Sequence, residues 1–275
     1  SLHRILMKAG IHNIVINPAS VAVAANDKVK TDRRDAIKLA TQLAVGQLKA
    51  IYIPSVEEEG RRSLSRGRQQ AVSRKRRISN QIKGKLMYVG VPINDRKISE
   101  AYLREIETLE LEPGHRFQLA ELCLAWRQEN ERIKRFNAEL KAQAAKDPLE
   151  EVYRSAPGVG EVTSRVLANE LGDMSRFENE RQLFSYSGLT PSEFSSGERI
   201  KRGHISRQGS NIVRSIIVEV AWTTIKKDLN MRKFYDGIAA RRGGKIAIVA
   251  VARKLLGKIR SCFQKQMTWE YAIGC

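Results

Sequence analysis

Between Ser185 and Arg214, small hydroxyl residues and glycines alternate with arginine and lysine. Ser195-Ser196-Gly197 can present a hydroxyl on a tight turn, and Arg199, Lys201, Arg202, Arg207 and Arg214 can hold a phosphodiester beside it. A hydroxyl among fixed cations suits phosphoryl transfer. The same residue types also make an ordinary solvated basic loop between two helices, and spacing alone does not separate the two. A second constellation is Lys30-Thr31-Asp32-Arg33-Arg34-Asp35, in which Thr31 is a plausible N-cap and the carboxylates fall at i and i+3 on one helix face. Two acids there can simply complement the helix dipole, or they can help hold Mg²⁺ for attack on a phosphodiester. A third is Pro157-Gly158-Val159-Gly160, where Gly158 and Gly160 can expose backbone N–H groups that grip a phosphate without reading bases.

The elements that must position these groups read as mostly helical, so the expected fold class is mainly α. Residues 1–9 form the last turns of a helix stopped by Gly10, and the β-branched run 11–17 predicts a strand closed by Asn17-Pro18. A helix feeding a strand implies an α/β unit whose earlier strands lie upstream. From Val56 to about Gly90 the pattern is helical and very basic, with Arg66, Arg74, Arg76 and Arg77 among its cations. Its apolar positions Leu64, Ala71, Ile78, Ile82 and Leu86 are too sparse to anchor a globular core, so the helix should pack on a partner or lie along phosphates. With segments 99–110 and 116–145 it predicts an antiparallel helical hairpin or coiled coil. Asp147-Pro148 marks a boundary, two short helices flank Pro157–Gly160 as in a helix-hairpin-helix turn, and apolar helices follow at 211–226 and from 245 to about 263. The basic turn Arg241–Lys245 can touch phosphate or merely face solvent. The expected domains are 1–54, 55–147 and 148–275.

A formal net charge of +19 on 275 residues that are 42% hydrophobic describes a folded protein with a polyanionic partner. Nucleic acid is the expected one, because each neutralised phosphate releases a condensed counterion. A membrane partner is not expected: there is no long apolar run and no signal-peptide pattern. Cys123, Cys262 and Cys275 are scattered and read as reduced thiols of a cytoplasmic protein, and the four histidines lack metal-ligand spacing. No nucleotide fingerprint is present.

In order, Lys30–Ala36, the basic helical middle, Pro157–Gly160, Gly172-Asp173 with Phe177, Gly188-Leu-Thr-Pro191, Ser196-Gly197, Gly203–Ser206 and Gly209–Asn211 with Arg214 resemble the IS110/IS1111 family of transposases, related to the Piv DNA invertases. The resemblance covers nearly the whole chain. It implies a RuvC-like (RNase H-like) α/β domain, of which residues 1–54 would be the C-terminal part, then a coiled-coil region and an α-helical domain with an essential serine. Asp32 and Asp35 would match the third and fourth of four metal-site acids, and Ser196 the serine, with Ser195 as the alternative register. The first two acids have no counterpart, which implies an N-terminally shortened form. The implied chemistry is a covalent phosphoserine intermediate on DNA assisted by Mg²⁺, in a dimer or tetramer guided by a structured RNA. A Piv-like invertase, a silent nucleic-acid-binding remnant and a junction nuclease using only the acidic site are the alternatives.

Overall fold

The structure is a computed structural model that describes residues 2–23, 29–93, 96–193, 195–196 and 202–270, with Arg202 described by its backbone alone. Helices carry most of it, as the sequence predicts. Two compact units divide it, residues 1–59 and 60–275.

In the first unit, α1 (Leu2–Lys8) leads into an extended segment and α2 (Asp32–Ala44) follows. Thr31 caps α2, its hydroxyl accepting from the Arg34 N–H at 3.3 Å. The strand expected over 11–17 is reduced to one antiparallel bridge, Ile16 with Ala50, joined by Ile51 N–H donating to the Val15 carbonyl at 2.8 Å. The asparagines explain why it goes no further. Asn13 donates to the Ile11 carbonyl at 3.0 Å, and the Asn17 side chain caps the short 3-10 turn Pro18–Ser20. Side chains that satisfy nearby backbone groups offer an alternative to a ladder. No described residue of this unit is buried, and Leu2, Ile5, Ile37 and Leu43 are exposed.

The second unit contains most of α3 (Val56–Tyr88), with α4 (Glu100–Glu107) and α5 (Pro113–Ala144). Helices α3 and α5 run antiparallel: Arg68 donates to Asn137 and Lys75 to Asn130, each at 2.6 Å, and Trp126 donates to Ser79 at 3.0 Å. These positions recur on each helix in steps of seven and four, and further steps of three and four lead on to Ile82 and Leu86 opposite Cys123 and Leu119. Contrary to expectation, that thin stripe anchors a core. Ile82, Leu86, Leu103 and Cys123 are fully buried at one end of the pair, with Tyr102, Ile106, Leu119 and Trp126 around them. A stripe two residues wide per two turns is enough when the partner helix repeats it. Burial lifts the Cys123 thiol to about 11, which leaves it an inert core group.

The other end of the α3–α5 seam is polar, and desolvation depresses the pKa of both Arg68 and Lys75. Replacing Lys75 and Asn130 together with leucine is expected to stabilise the protein by about 1 kcal/mol or more, because the pair is partly desolvated for little net gain. Denaturant unfolding at neutral pH checks it, and a lower midpoint would show that the polar pair contributes net stability. In the wild type, the unfolded chain holds the Lys75 proton to higher pH, so stability should rise as pH climbs from the depressed value to the ordinary lysine value. The double variant should lack that rise.

The remaining elements are α6 (Leu149–Ser155), α7 (Glu161–Leu171), α8 (Glu180–Ser187), a two-stranded hairpin, α9 (Asn211–Lys227), α10 (Leu229–Arg242) and α11 (Gly244–Lys265). They share one core that includes Tyr153, Leu167, Leu171, Leu183, Ile217, Val251, Leu255 and Ile259. At its edge the Arg165 side chain, 1% exposed, donates to Asp147 at 2.8 Å and to Asn169 at 3.0 Å, while Ser164 donates to Glu150. Helix α8 lies antiparallel to α11. The Arg253 guanidinium stacks 4.7 Å from the Phe184 ring, Gly257 leaves room for the Glu180 carboxylate, and Arg260 donates to the Phe177 carbonyl at 2.7 Å.

Candidate functional site

The basic stretch around Ser196 is an antiparallel hairpin, β1 (Pro191–Glu193) with β2 (Arg202–Ile205). Pro191 pairs with Ile205 and Glu193 with Arg202, with an irregularity between the two pairs. Ser192 Oγ donates to the His204 carbonyl at 2.8 Å, and Ser206 N–H donates to Thr190 O at 2.7 Å. Ser195 and Ser196 lie beyond β1 and are exposed. The Ser195 hydroxyl donates to Glu193 Oε1 at 2.8 Å, a carboxylate neighbour that the Glu-Phe-Ser spacing contains but residue-type reasoning passed over. Arg199 and Lys201 fall outside the described residues, as does Gly197, and Arg202 is placed through its backbone.

A tight junction holds the hairpin's base. Gly188 ends α8 in the left-handed region, φ 67°, and Arg207, a non-glycine residue at φ 56°, donates its N–H to the Gly188 carbonyl at 3.2 Å. Gly209, at φ 140°, sits so close to the Ser185 and Tyr186 carbonyls that no side chain fits there. Arg214 Nη1 donates to Ser187 O at 3.2 Å and to Arg207 O at 3.4 Å. One nitrogen of Arg214 therefore braces the left-handed Arg207 against the end of α8, while the Arg207 side chain is exposed. Left-handed backbone at a non-glycine residue persists only where surrounding contacts over-determine it, and such residues cluster at functional sites.

The turn 156–160 joins α6 to α7. Gly158 has φ 89° and lies against Thr223 and Thr224, and Thr224 Oγ1 donates to the Pro157 carbonyl at 2.7 Å. Gly160 stands at the N-cap of α7 with no side-chain cap. The predicted phosphate contacts on α3 divide into two kinds. Arg66 makes a two-point pair with Glu170 at 3.0 and 3.1 Å, and Arg74 pairs with Glu129 at 2.9 Å. Arg76 and Arg77 are exposed and make no ion pair among the described residues.

Asp32 and Asp35 occupy the first turn of α2 in the other unit; Asp32 is exposed, and Asp35 meets Lys38 at 3.4 Å. Two carboxylates one turn apart are donors of the right kind for a hard divalent ion whose shell is completed by water and phosphate oxygens. Among the described residues no third acid, histidine or cysteine joins them. No described helix is long and apolar enough to cross a membrane.

Two family profiles match the chain. A transposase profile of the DEDD IS110 type matches residues 1–89, and one described as "Transposase IS116/IS110/IS902 family" matches residues 150–236. The Sinorhizobium fredii protein y4qE, a candidate transposase by name, is 33% identical over 81% of this chain and 55% of its own length. The transposase for insertion sequence element IS1111A of Coxiella burnetii is 26% identical over 97% of this chain and 75% of its own. A 43.6 kDa protein of insertion element IS110 from Streptomyces coelicolor is 32% identical over 49% of this chain and 33% of its own. The chain thus spans about half of y4qE and three quarters of the IS1111A protein. It belongs to the IS110 family of transposases.

Proposed function

We propose that this chain cuts and rejoins DNA for an insertion sequence, with a hairpin serine as the nucleophile. The observation that carries the reading is the placement of Ser195 and Ser196: both are exposed beyond β1, on a hairpin whose base is locked by Gly209 and Arg214. A nucleophile on a braced projection can meet a phosphodiester that a buried hydroxyl could not. Ser196 Oγ gives up its proton to solvent as it forms a bond to phosphorus, the bond from phosphorus to the departing deoxyribose oxygen breaks with its electron pair, and that oxygen takes a proton from solvent. Arg207 and the neighbouring Arg199, Lys201 and Arg202 neutralise charge on the phosphoryl oxygens. Rejoining reverses the step with a different strand end, so no ATP is needed.

Asp32 and Asp35 would hold a divalent ion, Mg²⁺ in this reading, which when bound would supply positive charge to a phosphodiester. The regions 1–54, 55–147 and 148–275 act as part of a RuvC-like domain, a coiled-coil module and the serine domain. The two-glycine turn at Gly158 and Gly160 serves as a helix-hairpin-helix contact with backbone phosphate. A structured guide RNA and assembly into dimers or tetramers complete the proposal. Arg76 and Arg77 are the α3 cations offered to nucleic acid.

The test is to incubate the protein with circularised element DNA and its flanking transcript, denature, and digest. A DNA-linked peptide containing Ser195-Ser196 is the expected product. DNA cut with no linked peptide supports the nuclease reading instead, and binding without cutting supports the silent one.

A further inference from the structure

The α8–α11 register fixes what stands beside the hairpin. Phe184 meets Arg253 and Glu180 meets Gly257, and Phe177, three residues before α8, meets Arg260, so each step back along α11 is a step forward along α8. Continuing that register brings Gly188, at the foot of the hairpin, level with about Val249. Lys245 then lies roughly 6 Å further out, about one helical turn, at the same end. Helix α10 arrives there from the other side. Only Asp228 separates it from α9, and Trp222 meets Tyr235 across the pair with ring centroids 5.8 Å apart. Seven residues forward along α10 from Tyr235 is Arg242, and seven back along α9 from Trp222 is Ser215, next to Arg214. Two independent sets of contacts thus place Arg241, Arg242 and Lys245 at the end of the layer where the foot of the hairpin, Gly188 and Arg214, stands.

These three side chains are exposed and make no ion pair among the described residues; Arg241 donates only to the Gly237 carbonyl, at 2.9 Å. That sets them apart from Arg66 and Arg74, whose charge is answered by Glu170 and Glu129. Unanswered like charges gathered in one turn repel each other in the free protein and are relieved by a polyanion. We infer that the Arg241–Lys245 turn is a second contact for the backbone of the DNA whose phosphodiester is offered to the hairpin. This rests on the reading of the hairpin end as the face that meets DNA.

The experiment measures binding of a short fluorescent duplex of mixed sequence across a salt series. Arg241→Gln/Arg242→Gln/Lys245→Gln is expected to lower the slope of log K against log salt by about 2–3 and to weaken binding about 10- to 100-fold near physiological salt. Lys226→Gln/Lys227→Gln/Lys233→Gln removes the same charge at the far end of α9 and the start of α10, and should change binding less than about 3-fold. Thermal unfolding of both variants confirms that they fold. Equal losses in the two variants would mean diffuse charge and overturn the inference, as would a loss seen with structured RNA but not with the duplex. Unchanged duplex binding in the first variant, from a protein that still yields the serine-linked adduct, overturns it while leaving the proposed function standing. A wild-type protein that neither binds the duplex nor forms the adduct removes both.

Discussion

Ser196→Ala is expected to lower the single-turnover rate of strand joining by about 10⁴-fold or more and to abolish the DNA-linked peptide, the scale on which loss of a covalent nucleophile shows. Ser195→Ala should slow the reaction far less. The adjacent hydroxyls have different surroundings: Ser195 donates to Glu193, whereas Ser196 is one residue further out along the exposed loop. If Ser195→Ala is the dead variant, the nucleophile moves by one residue and Glu193 becomes the group placed to take its proton. Glu193→Gln would then slow joining and shift its pH profile. Joining and adduct both intact in each single variant and in the double variant would remove serine chemistry altogether. Asp32→Ala adds a separate reading, because a RuvC-type nuclease would lose cutting there while remaining indifferent to both serines.

Legibility followed how much of the information is local. Thr31 caps α2 through the bond its position predicts, and the apolar periods of α9 and α11 gave those helices to within a residue or two. Helix α10 was not legible: Met231 is its one buried residue and Gly237 interrupts it, so no 3.6-residue apolar period announces it. The hairpin was missed because Pro191-Ser192-Glu193 and Arg202–Ile205 lack the apolar alternation by which strands are read, leaving a tight turn as the visible feature. The opposite error occurred at 11–17, where β-branched residues promised a strand and side-chain bonds from Asn13 and Asn17 held the backbone locally instead. Of the candidate site, residue identity could be read from the chain. The bracing role of Arg214 could not, since its partners are carbonyls whose positions depend on two glycines with positive φ.

Arg66→Ala is expected to destabilise the protein by about 3 kcal/mol, and to do so without changing the salt slope of DNA binding. From sequence, Arg66 is one more cation on a basic helix; in the structure its guanidinium makes parallel bonds to both oxygens of Glu170. The burial is asymmetric. The Glu170 side chain is 0% exposed and that of Arg66 52%, so removing the arginine strands a carboxylate away from water, which is where most of the loss arises. The bond to Glu170 raises the Arg66 pKa, ahead of the opposing effect of burial, so the guanidinium keeps its charge across the physiological range. Glu170→Gln in the Arg66→Ala background should therefore recover much of the stability, because the stranded group no longer carries charge. A phosphate-binding Arg66 predicts the reverse pattern: normal unfolding, a salt slope lower by about 1, and no rescue by Glu170→Gln. Arg76→Ala/Arg77→Ala, on the exposed face of the same helix, supplies the contrast in one experiment, with unfolding unchanged and the slope reduced by about 2 if α3 meets nucleic acid there.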